Sequence, residues 1–407
     1  MPSSTKSRAF SYSRAPSTQG IANVTAAPRA LQLVYFDAGG GHRSAAMALR
    51  EVMAERYPHW RVDLVNLQEI LEPVDLFHRM TGHQSQDFYN GLLKRGWTFG
   101  SLAMLRALQK GVQLYSDHIE AILRDHWRSA LPDLVVSIVP NFNGVMFRAL
   151  RQEDPRVPYV TVMTDLADYP PHFWQEKQDQ FIICGTDMAV RQAVAAGYRE
   201  NQIFQASGMV LKPSFYRERG GDRRLKRAEF GLDPDLPTAL VMFGGYGSTT
   251  SVKIVDRLER SGLPLQTIVL CGRNERLRET LKARKSCLAV GYTDCVPDYM
   301  SLADFFIGKP GPGSLSEALH LGLPAIVECN MRTMPQERYN TEWLAERNLG
   351  IVIKDFRQIA AAARLLLADG RLDQFRQNAR GLDNRAVYEI PDMLDRIMRM
   401  GATANGA

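Results

Sequence analysis

Short apolar runs alternate with segments of helical periodicity along most of this sequence, and this alternation is its strongest constraint on the fold. The first run, LQLVYF at residues 31–36, precedes a glycine cluster, after which Ala45, Leu49, Val52 and Met53 recur at helical spacing. Further buried strands are predicted at residues 62–67, 134–139, 159–163 and 181–184. Strands separated by crossover helices favour a parallel, doubly wound sheet, so an α/β fold is predicted.

A second series of strands and helices follows a charged segment rich in proline and glycine. It starts at Ala239, with strands expected at residues 266–270, 288–290, 304–307 and 325–328. The sequence therefore predicts two α/β domains. We divide the chain into a disordered basic tail at 1–29, an N-terminal domain at 30–212, a linker at 213–237, a C-terminal domain at 238–385, and a final helix and tail at 386–407.

Composition excludes several classes of protein. No apolar run reaches the roughly 18 residues that a membrane-spanning helix needs. The five cysteines form no CxxC pair, so neither a disulfide framework nor a structural metal is indicated, and a reducing compartment fits. The net charge of +6 is compatible with nucleic acid, anionic lipid or phosphorylated small molecules, and only its placement can separate these partners.

The first glycine cluster lies where a parallel sheet binds ligands. The string DAGGGHRSA, residues 37–45, joins the first strand to the first helix, and glycines there let backbone N–H groups approach a ligand. A dinucleotide-binding turn is not predicted, because Ser44 stands where its third glycine would be. His42 is expected at the carboxyl end of the strand, where a neutral imidazole could accept a proton; the alternative is a structural loop histidine.

Two glycine-rich turns mark the second domain. GGYGS, residues 244–248, follows a predicted strand and suits a diphosphate. The run KPGPGSLSEALHLGLP, residues 309–324, predicts a strand, a loop and a helix that begins near Ser314 and has Glu317 in its first turn. Glu317 is either a residue that interacts with the helix dipole or a carboxylate that accepts hydrogen bonds from a ribose diol.

Several such strings occur together in one order: GGGH, CGRN at 271–274, GYTD at 291–294, GPGSLSEA, and Gln336-Glu337 with Asn340. In this order they resemble the monogalactosyldiacylglycerol synthase and processive diacylglycerol glycosyltransferase family, over about residues 31–385. That family is related to the peptidoglycan N-acetylglucosaminyltransferases. The resemblance implies the GT-B fold, in which two Rossmann-like domains face a central cleft.

The resemblance also implies roles for individual residues. His42 would be the catalytic base or bind the acceptor, and Asp165 would be an alternative base or a partner of His42. The UDP-sugar donor would be bound by Gly245, Gly247, Arg273, Tyr292, Thr293, Gly313, Ser314, Glu317, Gln336, Glu337 and Asn340. The lipid acceptor would be bound by Gly40, Gly41, Trp97 and Trp174. No metal ligand is expected.

A stretch that is basic and amphipathic extends from residue 88 to residue 116. It has no acidic residue before Asp117, and Lys94, Arg95, Arg106 and Lys110 alternate with Trp97 and other apolar residues. Such a stretch can lie in a lipid headgroup layer, although an ordinary core-facing helix is the alternative. Together with a lipid acceptor, it leads us to expect peripheral docking of the protein on the anionic cytoplasmic face of a membrane.

The expected function is therefore inverting transfer of galactose or glucose from a UDP-sugar to diacylglycerol, with no cofactor. Addition of further sugars to the first product is compatible with this expectation. One alternative is a UDP-N-acetylglucosamine-dependent transferase that acts on a polyprenyl-linked or lipopolysaccharide acceptor. Another is a non-catalytic sensor of UDP-sugar or lipid. Nucleic acid is not an expected partner, because no reading module is recognisable.

Overall fold

The computed structural model describes residues 29–37, 41–71 and 109–404, with side chains described as far as residue 400. The predicted basic tail, Gly40 and most of the basic amphipathic stretch, including Trp97, lie outside these residues. Among the residues described, no helix is both long enough and apolar enough to cross a membrane.

The first domain is built on a parallel sheet of six strands in the order β2-β1-β3-β4-β5-β6. The strands are β1 Arg29–Tyr35, β2 Trp60–Asn66, β3 Leu134–Ile138, β4 Tyr159–Val162, β5 Phe181–Cys184 and β6 Ile203–Gln205. The helices are α1 Gly41–Arg56, α2 Leu67–Leu71, α3 Ser116–Ser129, α4 Asn143–Glu153 and α5 Asp187–Ala195. A 3₁₀ turn, Glu200–Gln202, leads into β6.

The second domain also has a parallel sheet of six strands, in the order β12-β11-β10-β7-β8-β9. Two strands lie beyond its first strand β7, whereas only one lies beyond β1 in the first domain. Its strands are β7 Thr238–Met242, β8 Gln266–Leu270, β9 Cys287–Val290, β10 Phe305–Gly308, β11 Ala325–Glu328 and β12 Gly350–Ile353. Its helices are α7 Thr250–Arg260, α8 Glu275–Lys282, α9 Val296–Leu302, α10 Pro312–His320, α11 Pro335–Glu346, α12 Ile359–Leu367 and α13 Arg371–Arg380, with a 3₁₀ turn at Phe356–Gln358.

The central strands have no solvent-facing side. Every residue of β3 and of β7 is buried, which explains why these strands appear in the sequence as continuous apolar runs rather than as alternating patterns. Helices cover both faces of each sheet and complete separate cores in the two domains. The prediction of two doubly wound α/β domains is confirmed.

The chain returns to the first domain at its end. The last helix, α14 Ala386–Ala404, inserts Ala386, Val387, Ile390, Leu394 and Ile397 into the core formed by β1, β3 and α1. The Arg56 guanidinium donates a 2.6 Å hydrogen bond to the Tyr388 carbonyl oxygen, and the Tyr57 hydroxyl donates to Asp392 at 2.6 Å. The backbone therefore passes between the domains twice.

The segment predicted as a linker contains a 3₁₀ turn, Pro213–Tyr216, and a short helix, α6 Arg223–Glu229. Arg223 and Arg227 from this helix, with Arg376 from α13, form ion pairs with the buried carboxylate of Asp304. Burial alone would raise the pKa of Asp304, but the neighbouring guanidiniums lower it below its usual value. The helix is thereby fixed to the second domain, while the domain boundaries themselves stay predictions.

Candidate active site

Each sheet reverses its strand order at one place, and the predicted site residues follow the strands at these two places. In the first domain the reversal falls between β1 and β3, and in the second between β7 and β10. Ligands of open α/β sheets bind in the crevice outside the carboxyl ends of the strands at such a reversal. His42 follows β1, Gly245 follows β7, and Gly313 follows β10, so chain topology alone brings them to ligand-binding edges.

His42 occupies the first turn of α1 and is half-buried. Its Nδ1 lies 3.2 Å from the hydroxyl oxygen of Thr164, which follows β4. Burial lowers the pKa of His42 to about 4, and a contact with the Ile138 carbonyl opposes this only in part. The imidazole is therefore neutral at pH 7, as the sequence analysis required, but it is a weak proton acceptor.

Asp165 lies beside His42 but is not its hydrogen-bond partner. Instead, the indole Nε1 of Trp174 donates a 2.8 Å hydrogen bond to Asp165 Oδ2, and the Trp174 ring lies 5.8 Å from the His42 ring. Trp174 is fully buried, and in this structure its hydrogen bond holds the Asp165 carboxyl group in place. Whether it contacts the acceptor stays a prediction.

The carboxyl group of Asp165 is 7% exposed and faces the second domain. Burial raises its pKa to about 7, and the hydrogen bond from Trp174 opposes that rise. Glu337 raises the pKa further and Lys309 lowers it, so both side chains of the opposite domain are close enough to act on this carboxyl. A carboxyl group with a pKa near neutrality is suited to accept a proton at pH 7.

The loop that carries Asp165 is held by its own hydrogen bonds. Asp168 accepts the backbone N–H groups of His172 and Trp174, at 2.8 and 2.6 Å. Gln192 of α5 pairs with both the N–H and the carbonyl oxygen of Asp168. These contacts fix the loop on the first domain before any ligand binds.

On the second domain, two glycine loops pack backbone against backbone. The Arg273 N–H donates to the Gly245 carbonyl oxygen at 2.9 Å. Gly247 has φ 61°, and a Cβ at this position would overlap the Cys271 carbonyl oxygen; a Cβ at Gly272 would overlap the Gly245 carbonyl oxygen. Only glycine fits at these two positions, so the GGYGS and CGRN strings form one structural unit.

The predicted uracil-facing string lies at the next strand end. Tyr292 is exposed, and the Arg273 guanidinium lies 5.0 Å from the centre of its ring. The Thr293 hydroxyl accepts the N–H of Cys295, which orders the turn after β9. Arg273, Tyr292 and Thr293 are thus neighbours in the structure, and their ligand contacts stay predictions.

The sequence prediction placed Glu317 in the first turn of its helix, and this is wrong. Helix α10 begins at Pro312, two residues before the expected start, because proline is pre-organised for the first helical position and needs no N–H partner there. Gly313 and Ser314 therefore form the first turn, where backbone N–H groups lack partners within the helix. Glu317 lies in the second turn, where burial raises its pKa to about 7 and Lys212 opposes the rise.

Helix α11 contributes the remaining donor-side residues. The ammonium group of Lys309 lies 2.8 Å from Glu337 Oε1, and Asn340 Nδ2 donates to the Pro310 carbonyl oxygen at 2.7 Å. Gln336 Oε1 and Asn340 Oδ1 are buried and have no hydrogen-bond partner among the described residues. A buried acceptor without a partner costs about 1–3 kcal/mol, so a ligand that brings hydroxyl donors would stabilise this region.

Lys309 was not among the residues selected from the sequence, although it belongs to the cleft. It begins the loop after β10, directly before the PGPG string, and it pairs with Glu337 while facing Asp165. The available signal was a single lysine at the carboxyl end of a buried strand. Of the predicted acceptor residues, Gly41 begins α1 and has open space around it, while Gly40 and Trp97 lie outside the described residues.

Within the described part of the chain, no group of three or more His, Cys, Asp and Glu side chains could hold a metal ion.

Comparison with known proteins divides the chain in the same way as the fold. Residues 42–210 match the model of the monogalactosyldiacylglycerol (MGDG) synthase family, and residues 243–364 match the glycosyltransferase family 28 C-terminal domain. A probable monogalactosyldiacylglycerol synthase 2 of Oryza sativa is 28% identical over 93% of this chain and 83% of the relative. Monogalactosyldiacylglycerol synthase 1 of Arabidopsis thaliana is 27% identical over 91% of this chain and 72% of the relative.

Solved structures show the same architecture at low identity. MurG of Acinetobacter baumannii superposes with a TM-score of 0.59 at 13% identity, covering 91% of this chain and all of MurG. Anabaena HepE in complex with UDP gives a TM-score of 0.54 at 14% identity, covering 91% of this chain and all of HepE. At such identities the likeness concerns the fold alone. The GT-B fold and the resemblance to the MGDG synthases are confirmed.

Proposed function

This chain is a relative of the monogalactosyldiacylglycerol synthases with a glycosyltransferase family 28 C-terminal domain, and we propose that it transfers a hexose from a UDP-sugar to diacylglycerol. One observation supports this proposal above all. A buried carboxyl group with a pKa near 7, Asp165, faces the Lys309–Glu337 pair of the opposite domain. A cleft of this kind offers a proton acceptor on one wall and anion-binding groups on the other.

The second domain would bind the donor. Gly245 and the first turn of α10 offer backbone N–H groups to a diphosphate, and the positive end of the helix dipole favours its charge. The Gly247 N–H instead closes the turn by donating to the Gly244 carbonyl oxygen at 3.1 Å. Glu317 would accept hydrogen bonds from the ribose hydroxyls. Gln336 and Asn340 carry buried acceptor oxygens that have no partner among the described residues, which suits a sugar rich in hydroxyl donors. As the donor bond breaks, these fixed groups would stabilise the charge that develops on UDP.

The first domain would activate the acceptor. The diacylglycerol hydroxyl oxygen attacks the anomeric carbon as its proton passes to Asp165, and the bond from the anomeric carbon to the UDP oxygen breaks with inversion. Asp165 is the better base because its pKa lies near neutrality, whereas burial keeps the pKa of His42 near 4. His42, held by Thr164, would then orient the acceptor hydroxyl.

A lipid acceptor requires access to a bilayer. We propose that the protein docks peripherally on the anionic cytoplasmic face of a membrane through the basic amphipathic stretch at residues 88–116. Whether the donor sugar is galactose or glucose depends on a few hydroxyl contacts in the cleft.

Mass spectrometry of lipids tests the proposed function. The purified protein is incubated with diacylglycerol vesicles that contain anionic lipid. UDP-galactose, UDP-glucose or UDP-N-acetylglucosamine is added as the donor, each in its own reaction. We expect a new hexosyl-diacylglycerol with one of the first two donors. A product only with UDP-N-acetylglucosamine, or tight UDP binding without turnover on any donor, would contradict the proposal and favour the rival transferase or the sensor.

A further inference from the structure

Helix α11 has two functional faces. One face carries Gln336, Glu337 and Asn340 toward the loop after β10. The other face carries Tyr339 and Trp343, which pack against the first domain. The helix that lines the donor side is therefore also a bridge to the opposite wall of the cleft.

The bridge rests on the residues that directly follow Asp165. Tyr339 is buried in a small apolar cluster with Leu166, Ala167 and Met209, against which Trp343 also packs. The Tyr339 ring lies 6.4 Å from the ring of Tyr169 at the end of the same loop. The contact thus extends along residues 166–169.

A charged contact continues the interface beyond this cluster. Arg347, which follows α11, lies 3.6 Å from Asp187 at the start of α5, and its guanidinium also lies over the Trp343 ring. Beside the cluster, a cavity of about 270 Å³ lies between Leu166 and Met209 on one side and Leu319 and Trp343 on the other. The domains therefore meet through a limited patch with space next to it, rather than through a continuous core.

The loop on the first-domain side is stiff. The Thr186 hydroxyl donates to the Leu166 carbonyl oxygen, and Gln192 holds Asp168. Because these hydrogen bonds restrict movement of the loop, the distance between Asp165 and the donor side depends on how α11 packs against the loop. In close-packed proteins such a contact adopts one of a few discrete arrangements and does not deform gradually.

We propose that Tyr339 and Trp343 are positioning residues that hold Asp165 opposite the Lys309–Glu337 pair, so that one contact sets the position of the proton acceptor relative to the donor side of the cleft. This inference rests on the proposed transfer reaction. It assigns a role in the chemical step to side chains that touch neither the donor nor the acceptor.

The test compares Tyr339→Ala with Tyr339→Phe in the full-length protein. Without the ring, Asp165 is no longer held opposite the donor, and we expect kcat at saturating UDP-sugar to fall at least about tenfold, since small misplacements of reacting groups are costly. The dissociation constant for UDP should stay within about twofold, because the phosphate-side loops are untouched, and Tyr339→Phe should restore kcat to within about threefold of wild type. The matched control is Ile359→Ala, which truncates a fully buried side chain in a core made only of second-domain residues.

A second readout separates positioning from general destabilisation. Asp165 is surrounded by Trp174 and Asp168 on its own loop and by Glu337 and Lys309 from the second domain. If Tyr339→Ala opens this contact, water reaches the carboxyl and its pKa falls toward the ordinary value, so the midpoint of the pH-rate profile should move to lower pH. Ile359→Ala should leave the midpoint unchanged.

The inference is overturned if Tyr339→Ala loses no more kcat than Ile359→Ala, or if its UDP affinity falls in parallel with kcat. Should Tyr339→Ala fail to fold in thermal unfolding, Leu166→Ala, which opens the same contact from the first domain, is judged by the same criteria. Absence of transfer by the wild-type protein would count against the proposed function instead, so the two failures are distinguishable.

Discussion

The two walls of the cleft are both built on six-stranded parallel sheets with one reversal of strand order, but they use different chemistry. The first domain presents titratable side chains whose pKa values are strongly shifted, with His42 lowered to about 4 and Asp165 raised to about 7. The second domain presents backbone, in a pair of interlocked glycine loops and the start of α10, together with polar and charged side chains that face the cleft from α10, α11 and the loop after β10. The difference fits the proposed reaction, in which one wall accepts the proton and the other binds the anionic donor.

Burial acts on the first wall in two directions. Because it disfavours the charged form of any group, it lowers the pKa of an imidazole and raises that of a carboxyl group. His42 therefore remains neutral and weakly basic, while Asp165 gains a pKa suited to proton transfer near pH 7. In the proposed reaction, burial thus suits Asp165 to the role of base, which the sequence analysis gave first to His42.

The largest effect is expected from Asp165→Asn. The amide keeps the shape of the side chain and can still accept the Trp174 N–H, but it cannot accept a proton, so transfer should fall by roughly 10²–10⁴. UDP affinity, measured by calorimetry, should not change. Asp125→Asn, a change of an exposed carboxylate, is the control. Retention of more than a tenth of the activity would contradict the assignment of Asp165 on this wall as the proton acceptor.

A smaller effect, confined to binding, is expected from Glu317→Ala. Loss of a charged hydrogen-bond partner costs about 1.5–3 kcal/mol, so UDP affinity should weaken by roughly 10- to 100-fold. At saturating donor, kcat should stay within about threefold of wild type, because this residue belongs to the binding wall. Glu279→Ala, at an exposed position on α8, serves as the control. Loss of kcat with intact UDP affinity would reverse the proposed division between the walls.

The smallest of the three effects is expected from Gly247→Ala. Its φ of 61° disfavours any side chain, and the added Cβ would collide with the Cys271 carbonyl oxygen, so the loop must shift. Strain at such a φ costs about 1–3 kcal/mol even before the clash. We expect about 1 kcal/mol of this cost to fall on UDP-sugar binding, which weakens it roughly fivefold. Gly220→Ala, where an added Cβ meets nothing, should leave binding unaltered. Equal affinities in the two variants would show that the glycine loop does not contribute to the donor site.

Local patterns predicted much of this fold because the strands are buried on both faces. Strands at residues 181–184, 266–270 and 325–328 were predicted with the bounds that the structure has. Two of the four edge strands, β6 and β12, were missed, since they are only three and four residues long and their residues are mostly half-buried or exposed. Periodicity identifies central strands better than such edge strands.

The site was predicted only as far as its motifs extended. The glycine turns and His42 stand in recognisable strings, whereas the support of Asp165 by Trp174, its exposure to Lys309 and the bridge formed by Tyr339 depend on contacts between distant parts of the chain. The start of α10 was misplaced because the proline was read as part of the loop rather than as the first residue of the helix.

The most direct test of the division between the walls is the pH dependence of transfer by the wild-type protein at saturating UDP-sugar. Because the base acts when deprotonated and burial raises the pKa of Asp165 to about 7, the rate should rise as pH increases, reach half its maximum near pH 7 and then stay level. A rate that is already level from pH 5 upward would contradict this account and point to His42, whose pKa is about 4, as the base.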